Sequence, residues 1–292
     1  MEKLKVAILG TGNIGSDLLI KARKSELLEC TLFAGRNADS KGIARAKELG
    51  VKTSTDSINA ILSDPGCCDV VFDATNAETH NANAAALSKL GKFVVDLTPS
   101  KAGFTCIPVL NLAEGLSHMD INLVSCGGQS AIPIAYAIMK AQPDTQYIEI
   151  ASTISSKSAG PGTRINLDEY VQNTKVALEK FTGIRKSKVI LSLNPAEPPI
   201  NMHNTIYALT DGEPDIVKIK ASVADMVSRM RQFTPGVRIR EGPVYENERL
   251  TVISEVIGAG DFLPQYAGNL DVITCASIAV AEGYARKKFG KK

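Results

Sequence analysis

From Lys3 to Leu9 the chain reads KLKVAIL, alternating at first and then fully apolar, and the run breaks at Gly10-Thr11-Gly12-Asn13-Ile14-Gly15. A helical pattern follows as far as Lys24. Strand, glycine turn and helix in that order predict the opening of a βαβ unit. Leu28 to Ala34 (LECTLFA) predicts a second strand, and Lys41 to Leu49 a helix stopped near Gly50. Val70 to Ala74, Phe93 to Leu97 and Ile121 to Val124 are further short apolar runs, with a helical stretch from Asn81 to Leu90 between the first two. This alternation predicts an α/β fold built on a Rossmann-type, doubly wound parallel sheet with right-handed crossovers.

Beyond Gly128 the texture changes. Ile132 to Met139 predicts a helix, and Tyr147 to Ser155 and Val189 to Leu193 predict longer strands rich in β-branched residues. Between these strands, Ser158 to Asn166 (SAGPGTRIN) reads as a loop leading into a helix from Leu167 to Phe181. Its Gly-Pro-Gly is rigid in one place and permissive beside it, which suits a cofactor or acyl-chain contact as well as an ordinary connector. Thr205 to Phe233 reads as strand then helix, Leu250 to Val256 as a strand, and Val272 to Phe289 as an apolar helix. A chain of 292 residues, 44% hydrophobic, accommodates two domains on this reading. They are a dinucleotide-binding domain over 1–128 and a second, mixed α+β domain over 129–264, with a C-terminal helix over 265–292 returning to the first.

Thirty-three basic residues against 31 acidic ones leave a formal charge of +2, so nothing indicates a nucleic-acid or polyanionic-membrane partner. The basic tail from Arg286 to Lys292 suits a solvated helix end. No apolar run reaches the ~18 residues a membrane span needs, and the chain enters its first strand without a secretory signal, so a cytoplasmic location is expected. The six cysteines lack CxxC or Cys/His ligand spacing, which predicts neither a metal centre nor a disulfide framework.

Three places carry chemistry. In Gly10-x-Gly12-x-x-Gly15 the glycines permit a tight turn, close approach of a pyrophosphate and close helix packing, so a nicotinamide dinucleotide is the expected cofactor. The second strand ends in Ala34-Gly35-Arg36-Asn37-Ala38-Asp39, where an acid for the NAD ribose is usual; Arg36 can receive a 2′-phosphate and leaves NADP open. The third place is Ser125-Cys126-Gly127-Gly128-Gln129, after an apolar strand and before a predicted helix. A helix N-terminus favours thiolate there, and backbone N–H groups exposed at such a turn can stabilise an oxyanion. A thiol so placed beside a nicotinamide can attack an aldehyde; the opposing reading is a small buried hydrophobe. Any imidazole base must be His80, in a loop near the expected cofactor path, His118, in an exposed connector, or His203, in a proline-stiffened segment.

These motifs, with VFDAT from Val71, DLTP from Asp96, SKSAGPGTR from Ser156, LNPAEPP from Leu193 and YAGNLD from Tyr266, make nearly the whole chain resemble the acylating acetaldehyde dehydrogenases, frequent partners of 4-hydroxy-2-oxovalerate aldolase in aromatic degradation. The resemblance implies a second domain of the glyceraldehyde-phosphate-dehydrogenase C-terminal type and a homodimer. It implies that Cys126 is the nucleophile, and that Thr11, Gly12, Asn13 and Ile14 contact NAD together with Ser158, Ala159, Gly160, Pro161, Gly162, Thr163, Arg164, Ile165, Asn166 and Asn269. Asn166 and Leu167 would border the acyl pocket. The implied substrates are a short aliphatic aldehyde and coenzyme A.

Three departures from the family pattern stand out. Where family members carry an arginine–aspartate pair, this chain has His203-Asn204; the family's aspartate is held to help deprotonate the cysteine. Asn204 cannot be a base, so His203 takes that role or the helix end activates the thiol. The segment between Pro243 and Thr251 is short, which bears on docking to an aldolase, and Gly35-Arg36-Asn37 replaces a glycine–isoleucine–aspartate. Rival readings are a phosphate-dependent semialdehyde or acyl-phosphate reductase and a redox-sensing dinucleotide-binding regulator.

Overall fold

A computed structural model describes residues 2–290, apart from the side chains of Pro161 and Gly162. The first part of the chain holds strands β1 (Leu4–Leu9), β2 (Leu28–Ala34), β3 (Thr53–Ser54), β4 (Val70–Asp73), β5 (Phe93–Asp96), β6 (Phe104–Thr105) and β7 (Asp120–Asn122). Among them lie helices α1 (Asn13–Lys24), α2 (Lys41–Glu48), α3 (Asn59–Leu62), α4 (Ala77–Lys89) and α5 (Pro108–Gly115). Then follow α6 (Cys126–Ala141), β8 (Thr145–Ser155), α7 (Pro161–Ile165), α8 (Leu167–Thr182), β9 (Ser187–Asn194) and β10 (Met202–Thr210). Last come α9 (Ile216–Met230), β11 (Val237–Glu246), β12 (Arg249–Val256) and α10 (Gly268–Phe289).

Two compact units result. The first comprises the chain up to Leu123, Asp261–Leu263 and the residues from Ile273 on. Its seven-stranded sheet has the order β3-β2-β1-β4-β5-β7-β6, with every pair parallel. Parallel strands joined by helical crossovers are covered on both faces, which explains the continuous apolar runs in the sequence. Val6, Ile8, Phe72 and Phe93 pack on one side with Leu18 and Leu19 of α1 and Ile273 and Val280 of α10. Ala7, Leu9, Val71 and Val94 pack on the other with Ile61 and Leu87. Phe93 and Tyr284 stack with centroids 4.1 Å apart, and Thr274 donates to Asp17 at 2.5 Å, which fixes α10 from Ile273 onward within this unit.

The second unit comprises Val124–Gly260 and Pro264–Val272. Its five strands run β11-β12-β10-β8-β9, antiparallel except for the β8–β9 pair. In β10, Met202, Asn204, Ile206 and Ala208 are buried while His203, Thr205 and Tyr207 are half-buried, the two-residue period of a strand with one covered face. Helix α6 packs on strands β8 and β10 and on its neighbours α8 and α9. Asn247 and Glu248, with φ of 52° and 58°, close a two-residue turn between β11 and β12, consistent with the shortness of that segment.

The structure corrects four local expectations. Helix α6 starts at Cys126, six residues before the predicted Ile132, because Ser125 caps it and its buried face outweighs the poor helix propensity of Gly127 and Gly128. Helix α4 starts at Ala77, not Asn81, with the Asn76 side chain accepting from the Thr79 N–H at 2.9 Å. The Gly-Pro-Gly segment, expected as a loop, contains the one-turn helix α7. Strand β11 was not anticipated, since Arg238, Arg240, Glu241, Gly242 and Pro243 give it the look of a connector. No helix among the described residues is long and apolar enough to cross a membrane, and no cluster of His, Cys, Asp and Glu among them is placed to hold a metal ion.

Candidate active site

In the first unit the β1–α1 turn is shaped around its glycines. Gly10 has φ +109°, and a Cβ there would lie 2.4 Å from the Ala74 carbonyl oxygen; a Cβ on Gly15 would lie 1.9 Å from that of Gly10. Gly12 is the opposite case: nothing stands within 4 Å of where its Cβ would be, and as the N-cap of α1 it provides no side-chain cap. Open space in front of uncapped helix N–H groups fits the pyrophosphate of a dinucleotide. Thr11 and Ile14 are half-buried here, and Gly12 and Asn13 exposed. Arg36 follows β2 in an exposed segment, where Asn37 accepts from the Asp39 N–H at 2.9 Å.

In the second unit Val124, with φ +65°, turns the chain into α6. A β-branched residue in that region stores about 1–3 kcal/mol of strain. The Ser125 hydroxyl accepts from the Gly128 N–H at 2.9 Å and lies 2.6 Å from Thr174 Oγ1. Because Thr174 gives its own proton to the Tyr170 carbonyl at 2.6 Å, Ser125 is the donor of that pair. One turn back on α8, the Tyr170 hydroxyl accepts from the Gly127 N–H at 3.0 Å and stands 3.7 Å from Cys126 Sγ. Tyr170 and Thr174 are four residues apart, on one face of α8, and clasp the start of α6.

This clasp overturns one expectation. The glycine N–H groups after Cys126 are not open oxyanion donors, since Gly127 serves Tyr170, Gly128 serves Ser125 Oγ, and the Gln129 N–H serves the Ser125 carbonyl at 2.9 Å. What faces the half-buried thiol is the Tyr170 hydroxyl, its own N–H and the Gly127 N–H that Tyr170 shares. Burial pushes the Cys126 thiol up, while Tyr170 and the N–H groups of Gly127 and Cys126 oppose that. Tyr170 is the residue that sequence reasoning missed. Its signal was a tyrosine and a threonine on the buried stripe Tyr170, Thr174, Ala177, Leu178 of an amphipathic helix.

His203 and Asn204 part company across the sheet. Asn204, fully buried, accepts from Ser152 Oγ at 2.7 Å and donates to Ser130 Oγ at 3.1 Å, which places it on the α6 side. His203, its neighbour along the strand, points to the other face, where Nε2 meets Glu255 at 3.3 Å. Glu255 is shared with Arg238 and with Arg240 at 3.3 Å. Burial, against the pull of Glu255, holds His203 below its ordinary value. The expectation that His203 activates Cys126 is therefore corrected: its ring belongs to a cross-strand charge cluster on the opposite face from Asn204.

Asn269, almost fully buried, donates to the Ser158 carbonyl at 3.5 Å, and its Oδ1 finds no partner among the described residues. An orphaned buried carbonyl of this kind fits a ligand amide. Arg164 is spent on its own loop, reaching the Ala159 and Ser156 carbonyls at 3.1 and 2.9 Å. Ala159 is buried, Gly160 and Thr163 are half-buried, and Ile165 is 79% exposed; the side chains of Pro161 and Gly162 lie outside the described residues. Asn166 and Leu167 are half-buried at the start of α8.

His80, expected in a loop, lies instead on a helix. It is fully buried on α4, with Nδ1 3.1 Å from Asp73 and Nε2 3.5 and 3.6 Å from Asp96 and Asp120. Burial disfavours its charge, but Asp120, Asp73 and Asp96 outweigh burial and raise His80 to about 10. Burial also raises Asp96 to about 6, against His80 and the hydrogen bonds of Ser100 and Thr98.

Comparison with known proteins decides the family. Residues 126–264 match the family described as "Prokaryotic acetaldehyde dehydrogenase, dimerisation", and residues 5–102 match "Semialdehyde dehydrogenase, NAD binding domain". The acetaldehyde dehydrogenase of Pectobacterium atrosepticum is 52% identical over 292 residues, covering 99% of this chain and 98% of that protein. The chain belongs to the acetaldehyde dehydrogenase family. The family's member from Geobacillus stearothermophilus is 47% identical over 289 residues, with 99% of this chain and 98% of that one covered. Among solved structures, aspartate semialdehyde dehydrogenase II of Vibrio cholerae superposes with a TM-score of 0.65, 14% identity and coverage of 98% and 99% of the two chains. That likeness shows the shared fold.

Proposed function

We propose that this chain oxidises a short aliphatic aldehyde, acetaldehyde or one close to it, to its acyl-coenzyme A with NAD⁺. The observation that carries the reading is Cys126 at the first turn of α6, its sulfur against the Tyr170 hydroxyl, in a chain 52% identical to a protein named acetaldehyde dehydrogenase. The Cys126 thiolate adds to the aldehyde carbon to give a thiohemiacetal. NAD⁺ supplies a hydride acceptor, and loss of hydride and the hydroxyl proton leaves an acyl thioester on Cys126. The thiolate of coenzyme A attacks that carbonyl, expels Cys126 as thiolate and leaves as acyl-coenzyme A. The net reaction consumes aldehyde, NAD⁺ and coenzyme A, and releases acyl-coenzyme A, NADH and a proton. Covalent capture divides one difficult step into two easier ones.

In this reading Gly12 and the N-terminus of α1 hold the pyrophosphate. Asn166 and Leu167 limit the acyl chain. Exposed Arg36, with no ion pair among the described residues, also admits the 2′-phosphate of NADP⁺. Two copies pair through the half-buried face of the second sheet, the segment matched by the dimerisation family. The test is reduction of NAD⁺ with acetaldehyde, with and without coenzyme A. Coenzyme-A-dependent reduction, lost by at least about 10³-fold in Cys126→Ser, is expected. Phosphate-dependent reduction, or turnover retained by the variant, would overturn it.

A further inference from the structure

Around Cys126 lies a ring of polar groups that begins and ends on that residue. From its sulfur, which donates to the Tyr170 hydroxyl at 3.7 Å, the ring passes to the neighbouring Ser152 hydroxyl, which with that of Tyr170 flanks the Cα of Gly127. Ser152 donates to Asn204 Oδ1 at 2.7 Å, Asn204 Nδ2 donates to Ser130 Oγ at 3.1 Å, and Ser130 donates to the Cys126 carbonyl at 2.8 Å. Asn204 also reaches Ser254 Oγ at 3.4 Å, which fixes its amide with the oxygen toward Ser152. Ser152 and Ser130 have each committed their single proton. Only the Tyr170 proton has a choice: Ser152 Oγ on one side, Cys126 Sγ on the other.

The Gly127 N–H holds the Tyr170 oxygen in place from a third direction at 3.0 Å. Donation into that oxygen strengthens its own O–H as a donor. Glycine is needed for this approach, since a Cβ on residue 127 would stand 2.1 Å from the hydroxyl and 3.0 Å from Ser152 Oγ. Apart from the thiol and the phenol, the ring holds only hydroxyls and amides; no carboxylate, imidazole or ammonium belongs to it. A thiolate here is stabilised by donated hydrogen bonds and not by a neighbouring charge.

We propose that Tyr170 is a catalytic residue of the reaction proposed above, on which this inference rests: its hydroxyl proton points to Ser152 Oγ while Cys126 is a neutral thiol and turns to Sγ when the thiol ionises. No bond to Tyr170 is made or broken, and the thiol's proton leaves to a solvent base. Burial, followed by the adjacent thiol, raises Tyr170 well above its ordinary value, so the phenol stays a donor wherever the enzyme works. The two ring partners then have opposite effects. Removing the donor disfavours the thiolate, whereas removing the competing acceptor Ser152 favours it.

The test is alkylation of Cys126 by iodoacetamide in the full chain, followed across about pH 6 to 10 and read on the Cys126 peptide by mass spectrometry. Tyr170→Phe should move the midpoint of the profile up by about one pH unit and slow alkylation at neutral pH about tenfold, with the alkaline plateau kept. Ser152→Ala should move the midpoint the other way. An unshifted midpoint in Tyr170→Phe, or a shift of the same sign in both variants, overturns the proposal. If Tyr170→Phe does not fold, an unshifted or raised midpoint in Ser152→Ala overturns it alone. The assay needs neither aldehyde nor cofactor, so a failure of the proposed turnover and a failure of this inference are read separately.

Discussion

The two units bury polar groups in opposite ways. In the first, an imidazolium sits among three aspartates at 3.1 to 3.6 Å, and an open helix end at Gly12 keeps its donors unspent. In the second, the helix end at Cys126 has its glycine donors spent on Tyr170 and Ser125, and its buried network is built from hydroxyls, an amide and a thiol. The difference separates two tasks. A turn that is to receive a charged ligand leaves space and donors free, whereas a turn that is to hold one reactive sulfur in register commits its donors to protein partners.

The largest effect is expected at the buried charges. His80→Gln leaves Asp73 and Asp96 without their cation and should cost about 3–5 kcal/mol of stability, measured by urea unfolding at neutral pH. Because His80 is raised from 6.5 to about 10 in the folded chain, its contribution is fully present below about pH 6.5 and is lost as the pH climbs through 10. The melting temperature of the wild-type protein should therefore fall over that window, and the fall should flatten in the variant. A wild-type curve level to pH 10 would remove the contrast between the units.

Three alanine substitutions come next. Gly127→Ala drives a methyl into the Tyr170 hydroxyl at 2.1 Å and should cost about 1–3 kcal/mol while slowing alkylation of Cys126. Arg36→Ala should lower kcat/KM with NADP⁺ relative to NAD⁺ about tenfold or more, the worth of a charged hydrogen bond. Gly12→Ala, with open space around it, should cost only the N-cap preference for glycine, about 0.5–1 kcal/mol, yet weaken binding of NADH, measured by fluorescence titration. Equal stability losses in the two glycine variants would mean that both turns are merely packed.

What the sequence disclosed follows the range of the physics involved. Strands buried on both faces announce themselves as apolar runs, so β1, β2, β4 and β5 were legible to within a residue or so. The glycine turn was legible because its steric demands are local. Helix α6 was placed six residues late because glycines at its start argue against helix, and only tertiary burial and the Ser125 cap reverse that. Tyr170 was invisible since its contact with Cys126 spans 44 residues of chain, and the carboxylate partners of His80 and His203 were hidden for the same reason. The partners of His80, Asp73, Asp96 and Asp120, come together only when three strands are laid side by side.

Whether Cys126 carries the acyl group is read from the mass of the Cys126 peptide after acid quenching of protein mixed with acetaldehyde and NAD⁺ in the absence of coenzyme A. An acetyl group on that peptide is expected, accumulating with one equivalent of NADH and discharged on adding coenzyme A. NADH formation with Cys126 unmodified, or an acetyl group that coenzyme A does not remove, would contradict it.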